Sequence, residues 1–108
     1  MNLLDVNYRW TNVEFSPGCH YRFPDAISSY MKEHYRGPSV YRWFVWTPTQ
    51  GISAFYVGET ENLARRIQHY LKPGPKQATN LRLKKYFEEA CQRGARVEVE
   101  SLEFEPFR

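Results

Sequence analysis

Tyr56-Val57-Gly58-Glu59-Thr60-Glu61-Asn62-Leu63-Ala64-Arg65-Arg66 is the stretch on which the fold turns. An apolar run ends at a glycine, and a segment with apolar residues at helical spacing follows at once. Leu63, Ile67, Tyr70 and Leu71 fall on one face of that segment, while Arg65, Gln68 and Lys72 turn toward solvent. The spacing predicts a helix over residues 61–71, started by Glu59 or Thr60. Gly58 is expected to end the preceding strand, to let the chain turn, and to let it come close to a substrate. Upstream, residues 40–47 are β-branched and aromatic with little alternation, as in a strand covered on both faces. Pro48-Thr49-Gln50-Gly51 reads as a turn, so residues 52–57 return as the second strand of an antiparallel hairpin.

Downstream, Lys72-Pro73-Gly74-Pro75-Lys76-Gln77-Ala78-Thr79 is too rich in proline and glycine for regular structure and reads as a basic loop. Thr79 or Asn80 then caps a helix reaching residue 93, with Leu83, Phe87, Ala90 and Cys91 as its apolar stripe and Gly94 as its stop. A last strand covers residues 96–104. Val97 and Val99 share one parity and Leu102 and Phe104 the other, which predicts a bulge near Ser101. Before the hairpin, residues 1–23 read as irregular or partly extended, and Asp25 caps a helix over residues 26–35. The result is an α+β domain in β-β-α-α-β order. It has a small, mainly antiparallel three-stranded sheet flanked by helices, and an N-terminal extension over residues 1–37 packed on a main domain of residues 38–108.

With 108 residues the chain forms one compact unit. No apolar run approaches the roughly 18 residues of a membrane span. Met1-Asn2-Leu3-Leu4-Asp5 lacks the basic and apolar regions of a signal peptide, so a cytoplasmic location without membrane partners is expected. Cys19 and Cys91 are too few and too far apart for a disulfide framework or a zinc site. Net charge is +3, but its distribution is uneven: residues 60–96 hold nine Lys/Arg against three Asp/Glu, whereas residues 1–59 are balanced at five of each. A basic face of this kind attracts phosphate backbones in a salt-dependent way, although a solvated helix surface would show the same charges.

Ser39-Val40-Tyr41, then Tyr56-Val57-Gly58, Asn62-Leu63 and Arg66, resemble the motifs of the GIY-YIG nuclease superfamily. The likeness runs from Pro38 to Phe104, with Ser39 standing for the glycine and Val40 for the isoleucine of the first motif. It implies a metal-dependent endonuclease, cleaving DNA more readily than RNA with Mg²⁺ or Mn²⁺. Tyr41 and Tyr56 would position or deprotonate the attacking water, Arg66 would stabilise the phosphate, and Tyr70 would occupy a position held by tyrosine or histidine. Gly58 and Asn62 would be structural. Arg65, His69, Lys72, Lys76, Arg82, Lys84 and Lys85 are the candidate nucleic-acid contacts. Glu59 stands where many members carry a basic residue, and helix capping is the role expected of it. The resemblance places the metal-binding glutamate on a helix after the third strand, and the 108 residues do not include that helix, so the metal ligand stays unassigned. The alternative is a nucleic-acid-binding module on the same fold with impaired catalysis. The chemistry is consistent with either: arginine keeps its charge and grips phosphate oxygens with a planar fork. Tyrosine, with a pKa near 10, acts as a base only beside positive charge or metal.

Overall fold

The computed structural model describes residues 6–106; Met1–Asp5, on which the signal-peptide expectation rests, lie outside the described residues. The elements run β1 (Val6–Asn12), β2 (Glu14–Ser16), β3 (Cys19–His20), α1 (Ser29–His34), β4 (Ser39–Thr47), β5 (Gly51–Thr60), α2 (Leu63–Leu71), α3 (Ala78–Gln92) and β6 (Arg96–Pro106). The architecture is α+β with an antiparallel main sheet, as expected. That sheet has four strands in the order β1-β6-β4-β5, one more than the sequence suggested. The added strand is β1, which pairs with β6 from Val6↔Pro106 to Asn12↔Glu100. β1 alternates Val6, Tyr8 and Trp10 with Asn7, Arg9 and Thr11, which is a strand pattern, and it takes the open edge of β6 as its partner.

The chain leaves that edge at Val13, whose N–H still donates to the Val99 carbonyl, makes the small β2–β3 hairpin, and returns as Tyr21–Phe23. There the Phe23 N–H donates to the Val97 carbonyl, and Arg22 bridges to Glu98. The N-terminal segment therefore extends the sheet and enters the core. Val13, Tyr21, Phe23 and Met31 are buried beside Trp43, Tyr70, Phe87 and Val99. Trp43, on the central strand β4, has edge contacts with Tyr21, Phe23 and Tyr70 and a tilted contact with Phe87, at centroid separations of 5.1 to 6.4 Å.

Several boundaries differ from expectation for identifiable reasons. Helix α1 starts after Ser28, whose Oγ accepts the Met31 N–H at 3.1 Å and donates to the Phe15 carbonyl at 2.6 Å. Asp25 does not cap it, because its N–H is engaged by the Arg22 carbonyl and its own carbonyl accepts the Tyr21 hydroxyl. β5 does not end at Gly58 but continues to Thr60, since Glu59 and Thr60 pair with Val40 and Ser39. Helix α3 begins at Ala78 without a side-chain cap, so Thr79 and Asn80 lie inside its first turn. Gly94 does close it, at φ +88.

The expected bulge near Ser101 is absent. β6 pairs without interruption on both sides, and the irregularity falls instead between Val45 and Trp46 in the β4–β5 ladder. β6 keeps one face inward with Val97, Val99 and the small, buried Ser101. Leu102 lies on the opposite face, partly covered and across from Trp10. The side chain of Phe104 lies outside the described residues. Glu98, on that opposite face, is also buried: Asn12 Nδ2 donates to it at 3.0 Å, and Arg22, Arg96 and His20 approach within 3.4 to 3.8 Å. Arg42 closes the same face, its Nε donating to Glu100 at 2.6 Å and its guanidinium lying 4.3 Å over Trp10.

Trp43 is fully buried, and its indole Nε1 has no hydrogen-bond partner among the described residues. Trp43→Ala is expected to cost about 3–5 kcal/mol as a large core truncation. Trp43→Phe should cost less than half as much, because it also removes an unsatisfied donor. Chemical denaturation of the two variants, with m-values checked for constancy, tests the ratio.

Candidate active site

Four elements meet around the start of α2. Asn62 holds the N-cap position with extended backbone, and its Oδ1 accepts the Arg65 N–H at 3.0 Å. Thr60 Oγ1 lies 3.2 Å from both the N–H and the carbonyl of Asn62, fixing the tight passage from strand to helix. Asn62 thus has the structural role expected of it. Glu59 and Thr60 do not begin the helix, and Glu59 stays on the strand, exposed at the rim. Helix α1 supplies a second tie: the Tyr35 carbonyl, just past its end, accepts the Ala64 N–H at 2.8 Å. One of the free donors at the start of α2 is thereby satisfied from the N-terminal segment.

Behind this junction lies a tyrosine pair. The hydroxyls of Tyr41 on β4 and Tyr70 on α2 share a hydrogen bond of 2.9 Å, with both side chains fully or almost fully buried. Gly58 faces Tyr41 across the ladder. A Cβ at Gly58 would lie 2.6 Å from the Tyr41 hydroxyl oxygen and 2.8 Å from its ring. The glycine is therefore required by close packing inside a strand, and not by a turn. Burial pushes the Tyr70 phenol well above its usual value; Tyr41 and Tyr56 add to the rise, and the Arg66 guanidinium opposes it. Tyr70 is consequently neutral at physiological pH and suited to donate or relay a hydrogen bond, not to act as a base.

In front of the junction is an open cleft of about 650 Å³. Its walls carry Arg65, Arg66 and His69 from α2, Ser39 and Val40 from β4, and the segment Glu59–Asn62. Of the two arginines, Arg66 is half-buried and its charge reaches Tyr70, whereas Arg65 is exposed. Tyr56 is half-buried on the strand beside Tyr41 and packs against the core. The structure thus brings Tyr41, Tyr56, Arg66 and Tyr70 into one neighbourhood, but of these four only Arg66 lines the cleft.

No family model, curated protein or solved structure matches this chain. The site is therefore read from its own geometry.

The other predicted contacts are spread out. Lys72 and Lys84 line a separate hollow beside α1, with Lys84 3.8 Å from Glu88. Lys76, Arg82 and Lys85 are exposed on the loop before α3 and on α3 itself. Three contributors escaped the sequence reading. The hydroxyls of Ser39 and Thr60 were legible only as motif positions, and Lys32 sits on a helix that nothing in the sequence tied to α2. A divalent metal would need carboxylate or imidazole ligands. Among the described residues no group of three or more His, Cys, Asp or Glu side chains is placed to hold one, and Glu59, Glu61 and His69 line the cleft without forming such a group.

Gly58→Ala forces Tyr41 aside in a packed interior, and a loss of about 1–3 kcal/mol is expected. Combining it with Tyr41→Phe should recover part of that loss, as a double-mutant cycle by urea denaturation would show. Asn62→Ala should cost about 1 kcal/mol through the lost cap.

The buried phenols also set an alkaline limit. Burial raises Tyr21 as well as Tyr70. A phenol raised in the folded state contributes stability that is complete below its unfolded pKa of about 10 and is lost as pH climbs above it. Thermal melts from neutral to alkaline pH should show Tm falling beyond about pH 10, less steeply in Tyr70→Phe.

Proposed function

We propose that this chain is a GIY-YIG-like domain that binds DNA along the cleft and hydrolyses its phosphodiester backbone. The observation that carries the reading is the convergence of Arg65, Arg66 and His69 on one open cleft directly in front of the Tyr41–Tyr70 pair. The three-stranded core of that domain type corresponds in this reading to β4, β5 and β6, with β1 an addition. Arg66 would hold non-bridging phosphate oxygens and offset the charge that builds on them as water attacks phosphorus. Tyr56, the motif tyrosine with an accessible surface, would orient that water. The Tyr41–Tyr70 pair would hold α2, and with it Arg66, at a fixed distance from the strands. The Mg²⁺ or Mn²⁺ that the resemblance implies belongs to this proposal as an expected requirement of the assay.

A second reading, a nucleic-acid-binding module with impaired catalysis, is favoured by one observation: the hydroxyls of Tyr41 and Tyr70 are spent on each other inside the core. Nicking of supercoiled plasmid with Mg²⁺ or Mn²⁺ separates the two. For a nuclease, Arg66→Ala should lower the rate about 100- to 1000-fold, as expected for losing one preorganised charge-stabilising group. Arg66→Lys should restore little of it, because a point charge does not replace the fork. Equal residual cleavage by wild type, Arg66→Ala and Tyr56→Phe would overturn the enzyme reading. Salt-sensitive binding without cleavage would leave the module.

A further inference from the structure

The cleft does not stand alone. It shares Asn62 and Arg65 with a second hollow of about 430 Å³, which in turn shares Ile27, Lys32 and Gln68 with a third of about 440 Å³. The three hollows adjoin at these shared residues and follow one another along α2, from the β4–β5 edge, past α1, to α3, as a groove. Cationic side chains recur along its whole length: Arg65 and Arg66 at the cleft, Lys32 in the middle, Lys72 and Lys84 at the far end. Between them the floor is apolar, with Ala64 at the middle and Phe23 and Leu71 at the end. The acids lining the groove, Glu59 and Glu61, stand at the cleft end, and among the described residues Lys84 is the far-end cation within 4 Å of an acid, Glu88 at 3.8 Å.

We propose that this groove is the track of a single nucleic-acid strand, entering at the cleft and crossing α1 at Lys32 toward Lys72. The inference rests on the nucleic-acid reading of the cleft and extends it to a strand type and a direction. Cations spaced along a recess with an apolar floor suit a strand whose phosphates follow the rim while its bases or sugars settle inward. A duplex keeps its bases paired and stacked inside, so a single strand is the form that can settle bases on the floor while its phosphates follow the rim. The N-terminal segment thereby becomes part of the binding site: Lys32 lines both the second and the third hollow, and α1 is also the helix whose end holds the start of α2.

The test is fluorescence-anisotropy binding of a labelled dT12 oligonucleotide and of a hairpin duplex over a range of salt concentrations. The proteins are the wild type and two double variants of equal charge loss, with retained far-UV CD. Lys32→Ala/Lys72→Ala removes two groove cations. Arg36→Ala/Arg93→Ala removes two exposed cations that line none of the three hollows. The groove variant should bind dT12 roughly tenfold more weakly at low salt, with the salt slope reduced by about 1.4, the value for two phosphate contacts on a single strand. The control variant should stay within about twofold of wild type, and the hairpin should bind more weakly than dT12. Equal weakening by both double variants, or equal dependence of the hairpin on Lys32 and Lys72, would overturn the track. If Arg66→Ala weakens dT12 binding and the groove variant does not, the track fails while the cleft reading survives. Wild-type protein that binds neither oligonucleotide at low salt would remove both.

Discussion

The hydrogen bond between Tyr41 and Tyr70 is the constraint from which the site's geometry follows. It links the central strand β4 to the helix that carries the arginines, and it is sealed by a strand glycine that has no room for a side chain. A hydroxyl pair of this kind is stable only if each phenol stays neutral, and burial ensures that for Tyr70. It also sets the orientation of α2 about its own axis. With Leu63, Ile67 and Tyr70 turned inward, Arg65, Arg66 and His69 are left along the open side where they line the cleft. The positions of the charges are thus consequences of an uncharged contact.

Charge is segregated around this scaffold. The cations of α1, α2 and α3 gather along α2, opposed by Glu59 and Glu61 at the cleft rim and by Glu88 beside Lys84. The buried carboxylate lies on the opposite face of the sheet: Glu98 is held by Asn12, Arg22, Arg96 and His20, while Glu100 engages Arg42. A buried carboxylate is tolerated only when paired and hydrogen-bonded. The return of the chain at His20–Arg22 supplies that pairing, so the excursion through β2 and β3 has an electrostatic as well as a packing function.

These arrangements were unequally legible in the sequence. The hairpin of β4 and β5 and the helix α2 could be read because apolar periodicity and the turn at Pro48–Gly51 act locally. For Asn62 the motif resemblance implies a structural role, while the helix start is expected at Glu59 or Thr60; the structure puts the cap at Asn62 because β5 runs on to Thr60. What escaped reading was set by distant partners. β1 alternates apolar and polar residues, but its place at the edge of the main sheet is set by β6. Ser28 outcompetes Asp25 as a cap because the Phe15 carbonyl is there to receive its hydroxyl and because Tyr21 and Arg22 already engage the backbone of Asp25. The parity change in β6 suggested a bulge because a strand was assumed to bury one face. In fact both faces of β6 are covered, one by the helices and the other by the N-terminal return and Arg42, so no irregularity is needed. At the site, Arg66, to which the resemblance assigns the phosphate, is the arginine whose charge reaches Tyr70. Spacing could not reveal that Tyr41 and Tyr70 would spend their hydroxyls on each other.

That last point bears on how such a site can work. A tyrosine buried at its hydroxyl and bonded to a second phenol cannot meet a water in the cleft while the packing stands. In the proposed reaction the side chains available from the cleft are then Arg66, Arg65 and His69, because Tyr56 lies outside its lining and the Ser39 and Thr60 hydroxyls are bonded to backbone. This shifts the burden from base catalysis by a tyrosine pair toward charge stabilisation by a positioned guanidinium. Positioning is where the N-terminal segment enters. The Tyr35 carbonyl and the Tyr41–Tyr70 bond restrain α2 at opposite ends of the same helix, one at Ala64 and the other at Tyr70. Arg66 lies between these two restraints. Its backbone is therefore held at both ends, while its side chain remains free to follow a phosphate.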